Sequence, residues 1–253
     1  MPEIKRSAWE EFASLMSKCS DKAAEEMRAW LSVNGWGNME AAIEYMYGLI
    51  EKYGEAAASL ACEMYDATAA LNGANVPPAE PAAPPPVEKV RAAVNAATEE
   101  APATVPSIAG RYVKQRGADT TLQNAQRDGA KWAWVPNGDT CAFCLALASR
   151  GWQRQSKEAA KAHAEHIHNH CNCNYAVSFD GSGVEGYDPT IYERMYYETP
   201  NGEKREGKPN EKIKAIRKEI YATNDRLREQ KHEYYEAHKE ELKEKREKKL
   251  AEK

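Results

Sequence analysis

Apolar residues recur at helical spacing almost from the start of the chain. Trp9, Phe12, Ala13, Met16, Ala23, Met27, Trp30 and Leu31 share one side of a 3.6-residue repeat that runs to about Val33. Cys19-Ser20-Asp21 is the place where this helix would break, with Ser20 as the cap of a second piece. Asn34-Gly-Trp-Gly-Asn38 reads as a turn. Asn38 is placed to cap a long helix to about Asn72, whose stripe is Ile43, Met46, Ile50, Tyr53, Ala57, Leu60, Met64 and Leu71. A helical hairpin over residues 1–73 is therefore expected, with the stripes as packing faces. Cys19 and Cys62 fall in these helices and read as small buried hydrophobes.

The helical pattern stops at Gly73. Pro77-Pro78, Pro81 and Pro84-Pro85-Pro86 lack amide donors and clash with a preceding helical turn, so residues 74 to 86 predict a semi-rigid polyproline spacer. Val87 to Thr98 predicts a short helix with Val90 and Val94 on one face, which makes 74–106 a Pro/Ala-rich linker. Thr120-Thr-Leu-Gln123 has capping-box form and predicts a helix from there to about Gly129. Lys131-Trp-Ala-Trp-Val135 alternates and reads as a strand, and Asn174 to Phe179 is a second strand candidate. Paired, and joined by helices at Leu145 to Ser149 and about Ser156 to His166, they form a small α+β module over 107–185. Such a module is too small to be held by burial alone.

Beyond Gly181 come turn residues and a tyrosine-rich patch, Tyr187, Tyr192, Tyr196 and Tyr197. From Glu211 to Lys253 the chain is charged and helix-forming, with Ile213, Ile220, Leu227 and Tyr234 at seven-residue intervals. Residues 186–253 thus read as a polar segment and a charged C-terminal helix, either solvated, self-associating as a coiled coil, or docked on a larger assembly. Mean hydropathy is −0.78, so much of the chain lies outside any core and an elongated architecture is expected. The formal charge of −4 provides no global basic field toward nucleic acid. No apolar run is long enough to cross a bilayer, so no membrane partner is expected.

The chemistry is concentrated in one place. Four of the six cysteines and four of the six histidines fall between Cys141 and Cys173. Cys141-Ala-Phe-Cys144 is a Cys-x2-Cys knuckle that supplies two tetrahedral zinc ligands from one tight turn, and His168, Cys171 and Cys173 offer three candidates for the other two places. His168 with either Cys171 or Cys173 is the favoured completion. His163, His166 and His170 read as solvated neighbours. Two disulfides and a thioredoxin-like pair are the competing readings, the latter lacking a βαβ context. A thiol-rich set of four protein ligands describes a closed, structural Zn²⁺ rather than a catalytic one, and Glu165 does not complete the His-Glu-x2-His metalloprotease spacing. No enzyme activity is expected. The fold class that results is mainly α with a small α+β zinc-knuckle module, an N-terminal helical hairpin and a C-terminal charged helix.

The box Asp139-Thr-Cys141-Ala-Phe-Cys144-Leu-Ala-Leu-Ala-Ser149-Arg150-Gly151, preceded by Asn124-Ala-Gln126-Arg127-Asp128 and followed by His168-Asn-His170-Cys171-Asn-Cys173, resembles the minor capsid proteins of tailed phages and prophages, relatives of the Mu F-like head morphogenesis proteins. The resemblance covers roughly residues 40 to 180. It implies a virion protein of few copies, made in the host cytoplasm, bound near the portal or inside the capsid and acting in head assembly and DNA packaging. Its partners would be portal and capsid proteins, with contact to packaged DNA, and Cys141, Cys144, His168, Cys171 and Cys173 would be its knuckle residues. The proline-rich insertion departs from the family pattern, and the charged tail carries no catalytic constellation. Two other functions use the same residues. A nucleic-acid-binding zinc module would draw on Lys131, Trp132, Trp134, Arg150, Trp152 and Arg154. An HNH-like nuclease would draw on His166-Ile-His168-Asn-His170, but needs a further metal-binding His/Asn set that does not follow Cys173.

Overall fold

A computed structural model describes residues 2–100, 102–138, 140–153, 173–237 and 239. The architecture is mainly helical with one two-stranded sheet. Helix α1, Arg6–Asn34, is uninterrupted. The break expected at Cys19-Ser20-Asp21 does not occur, because the Ser20 hydroxyl donates back to the Ser17 carbonyl at 2.9 Å and the buried face continues through Ala23, Ala24 and Met27. Gly35 ends the helix at φ 65 and donates its N–H to the Leu31 carbonyl. Asn38 then caps α2, Met39–Leu71, its Oδ1 accepting from the Ala41 N–H at 3.1 Å.

The hairpin closes on a third long helix, α4, Val105–Asp128. It begins well before the capping-box residue Thr120, which sits mid-helix and donates to the Arg116 carbonyl at 2.8 Å. Close approach is built into α4 by two glycines. A Cβ on Gly110 would lie 2.6 Å from the backbone oxygen of Ser20, and one on Gly117 would overlap the Met16 methyl and stand 3.2 Å from the Ala57 carbonyl oxygen. The core between the helices holds Trp9, Met16, Met27, Ile43, Met46 and Ile50 together with Val105 and Val113.

Residues 74 to 86 are non-helical, as the prolines require, yet they are tied along α4 rather than spanning a gap. Asn124 accepts from the Glu80 N–H at 3.0 Å and donates to its carbonyl at 2.8 Å. Thr120 accepts from the Ala82 N–H at 3.0 Å, and Arg116 donates to the Ala82 carbonyl at 3.0 Å. Asp66 accepts from the Ala79 N–H at 2.8 Å, and Arg127 donates to the carbonyls of Pro77 and Pro78. This strap leads into α3, Val87–Glu100, whose Val90 and Val94 are buried on the predicted face.

Strands β1, Lys131–Val135, and β2, Asn174–Ser178, pair antiparallel, with Lys131 opposite Ser178 and Val135 opposite Asn174. Helix α5, Ala142–Ala148, follows the knuckle turn. The helix expected at Ser156 to His166 lies outside the described residues. The tyrosine patch folds as α6, Pro189–Tyr197, which the sequence reading passed over: Asp188 caps it by accepting from the Thr190 N–H at 2.9 Å, with Pro189 in the first turn. Helix α7, Pro209–Ala237, is the charged one, and its Ile213, Ile216 and Ile220 pack with Ala142, Leu145, Ala146 and Tyr196. Among the described residues no helix is long and apolar enough to cross a membrane.

Candidate metal centre

The register of the small sheet decides what the knuckle meets. With Val135 paired to Asn174, Cys173 enters the ladder beside the turn that leaves β1. That turn, with Gly138 at φ 70, carries the chain back to Cys141. Cys141 is the N-cap residue of α5, and its Sγ accepts from the Cys144 N–H at 3.4 Å. A sulfur at a helix N-terminus, bonded by the amide three residues on, is an environment that suits an anionic ligand. Cys144 and Cys173 are both buried and belong to one apolar cluster with Leu147, Ala148, Trp132, Trp134 and Tyr175, and Cys141 packs half-buried against it. Residues some thirty positions apart in the chain are thereby brought to one end of the sheet.

Of the remaining predicted ligands, His168 and Cys171 lie outside the described residues, as do Asp139, His163, His166 and His170. Among the described residues no group of three or more His, Cys, Asp and Glu side chains is arranged to hold a metal ion. The donor chemistry present is nevertheless of one kind. Cys141, Cys144 and Cys173 are soft sulfur donors in an apolar surround, a set suited to Zn²⁺ and unsuited to Mg²⁺ or Ca²⁺, which take hard oxygen ligands.

The aromatic residues around the thiols are packed, not presented. Trp132 and Trp134 are 4% and 2% exposed. Both rings stand edge-on to Tyr175, at 5.2 Å and 75° and at 4.5 Å and 69°. Base stacking needs an open ring face, so these two tryptophans do not supply the platform that a nucleic-acid-binding reading asks of them. The backbone of Trp132 exchanges two 2.8 Å hydrogen bonds with Gln153, which fixes the chain leaving α5 against the sheet.

Two tyrosines that sequence reasoning left unassigned hold the same region. Tyr187 donates to the Ala148 carbonyl at 3.2 Å, at the end of α5, and burial pushes its pKa up. Tyr192, on α6, packs against the thiol-bearing cluster, and burial raises its pKa as well. The signal that could have found them is Asp188-Pro189-Thr190, a helix start placed within a tyrosine run.

Residues 3–199 match the VG15 protein family. No curated protein and no solved structure matches the chain. The matched stretch takes in α1 to α6, the strap, both strands and every cysteine, and stops before α7. Covering well over half of the chain, it makes this a member of the VG15 protein family, a family of viral and phage proteins.

Proposed function

We propose that the protein is a minor capsid protein of a tailed phage or prophage, of the head morphogenesis type related to the Mu F-like proteins, acting as a structural component near the portal or the capsid interior during head assembly and DNA packaging. The observation that carries this reading is the continuity of the VG15 match, which spans the helical core and the knuckle box as one unit. The order of the box, Asp139-Thr-Cys141-x2-Cys144 followed by His168-x-His170-Cys171-x-Cys173, supports the finer assignment by resemblance.

Within this reading Cys141 and Cys144 would hold Zn²⁺ from the start of α5, with His168 and either Cys171 or Cys173 closing the site. Bound zinc would supply a tetrahedral cross-link between the start of α5 and the end of the two-stranded sheet. The protein's own residues supply the setting: Trp132, Trp134 and Tyr175 share the apolar cluster that buries Cys144 and Cys173, and the Cys144 N–H donates to the Cys141 sulfur.

The test is recovery of the protein in purified particles and its co-purification with portal and capsid subunits. Association with portal-containing assemblies is the expected result. Absence from particles and from portal complexes alike would overturn the assignment, and magnesium-dependent DNA cleavage abolished by His168→Ala would replace it with the nuclease reading.

A further inference from the structure

Helix α7 packs by one side and leaves the other to solvent. Inward, Ile216 is buried and Ile213 and Ile220 are half-buried against α5 and α6. Two charged residues of the helix are engaged from the same body. Arg205, 6% exposed, holds Glu219 through bonds of 2.7 and 2.9 Å, and the Lys212 ammonium lies 4.6 Å over the Tyr197 ring. These contacts set the rotation of α7 about its own axis, so what its opposite side presents is set as well.

That side carries Lys214, Arg217, Lys218 and Tyr221, at the i, i+3, i+4, i+7 spacing that aligns side chains on one face of a helix. All four are exposed, Tyr221 at 61%. Other surface cations stand beside carboxylates, as Lys5 does with Glu185, Lys52 with Glu26 and Lys204 with Glu206. Lys214, Arg217 and Lys218 have no such ion pair among the described residues. From Lys212 to Tyr221 the one carboxylate is Glu219, already neutralised by Arg205. Glu211 and Asp225 bound the stripe, and the Glu211 carboxylate is taken up by the Lys208 N–H at 2.7 Å. Lys214 and Lys218, four residues apart, repel each other along the helix. A chain of formal charge −4 thus presents a local row of like positive charges that its own fold does not use.

The dimensions of the row say what it fits. At 1.5 Å per residue, Lys214 to Tyr221 covers about 10 Å of helix axis. One strand of duplex DNA carries a charge about every 3.4 Å of its axis, so about three phosphates lie along that length, one for each cation. The Tyr221 hydroxyl adds a neutral donor for phosphate oxygen at the end of the row. A single ring is not the succession of rings on which unpaired bases stack, so the row suits the backbone of a duplex rather than a single strand.

We infer that the outer face of α7 binds the phosphate backbone of duplex DNA through Lys214, Arg217 and Lys218, without reading sequence. This goes beyond the assembly role proposed above and uses no residue of the thiol cluster. The three cations lie past residue 199, where the family match ends.

Fluorescence anisotropy of a short labelled duplex of random sequence, titrated with the purified full chain, tests this directly. Binding is expected to fall with salt at a log–log slope of about −3, or about fortyfold between about 50 and 200 mM. Lys214→Gln is expected to make the slope shallower by about one. Lys214→Gln/Arg217→Gln/Lys218→Gln is expected to abolish binding while helical circular dichroism stays unchanged. Lys22→Gln, at an exposed position on α1, is expected to bind as the wild type does. A wild type that binds no duplex, a triple variant that binds as well as the wild type, or an equal loss with Lys22→Gln would each overturn the inference. Equal competition by polyglutamate at matched charge would overturn it too, and would make the row a site for an acidic protein segment. None of these outcomes bears on recovery of the protein in particles, so the capsid assignment stands or falls separately.

Discussion

The hydroxyl of Tyr65, on α2, donates at 2.8 Å to the carboxylate of Asp128, the last residue of α4. The same carboxylate takes two 2.8 Å bonds from Arg127, which in turn holds the Pro77 and Pro78 carbonyls. One side chain, 4% exposed, therefore ties α2, α4 and the strap together. The Arg127 hydrogen bonds hold the Asp128 carboxyl below its ordinary value of 3.8, against burial and with help from the Tyr65 hydroxyl. Because the folded-state pKa is the lower one, the stabilisation is fully present above that ordinary value and is lost as pH falls through the folded pKa. Asp128→Asn is expected to cost about 1–3 kcal/mol at neutral pH. Its deficit against wild type in urea unfolding should shrink steadily as the solution is acidified below the ordinary carboxylate range. A deficit that stays constant with pH would assign the stabilisation to shape rather than charge.

The two glycines of α4 predict opposite behaviour from a third on α2. Gly110→Ala places a methyl 2.6 Å from the Ser20 backbone oxygen, which no side-chain rotation relieves, so α1 and α4 must separate. The expected loss is about 1–3 kcal/mol. Gly48 is equally helical but has no neighbour within 4 Å of a new Cβ. Gly48→Ala is expected to stabilise by about 0.5–1 kcal/mol through helix propensity alone. Thermal unfolding of the two variants side by side checks this, and a Gly110→Ala protein as stable as wild type would mean that the α1–α4 approach is not tight.

The difference between these helices also explains what the sequence disclosed. α2 buries one face, so Ile43, Met46 and Ile50 wrote a stripe that could be read directly. α4 is covered by α1, α2 and the strap on most of its circumference, and its buried Thr120 and Asn124 serve the strap's backbone. Such residues look like caps or loop in the sequence, which is why the helix was expected to start at Thr120. At the candidate site, the Cys-x2-Cys spacing singles out Cys141 and Cys144, and Trp132 and Trp134, read from the sequence only as strand residues, share the buried cluster with Cys144. That Cys173 joins the same cluster depends on strand register, which pairs Val135 with Asn174 and which no local pattern states.

Asn124 supplies a test of the strap as part of the fold. Its amide serves both backbone groups of Glu80 and also donates to the Thr120 carbonyl at 2.7 Å, all at 1% exposure. Asn124→Ala leaves the Glu80 bonds unmade in a partly buried setting, at an expected cost of about 1–3 kcal/mol. The more specific readout is local. Limited proteolysis of the variant should cut within residues 74 to 86 well before the helices are attacked, whereas the wild-type strap should survive as long as they do. Equal cutting rates in the two proteins would show that the strap's attachment does not rest on Asn124.

The proposed zinc predicts a signature separable from ordinary core packing. Cys144 is 1% and Cys173 2% exposed, so Cys→Ser at either position buries a hydroxyl and costs stability with or without metal. Cys141, half-buried at the helix start, is the better probe, because serine retains the N-cap role there while being a far poorer zinc ligand. Elemental analysis of native protein is expected to give about one zinc per chain. A strong chelator should then lower the unfolding temperature of the wild type and expose its thiols to alkylation. Cys141→Ser should begin near the chelated wild type and respond little to chelator, with α1 and α2 still folded by circular dichroism. A metal-free native protein whose thiols alkylate at once, or a Cys141→Ser variant that loses as much on chelation as the wild type, would remove zinc from this site.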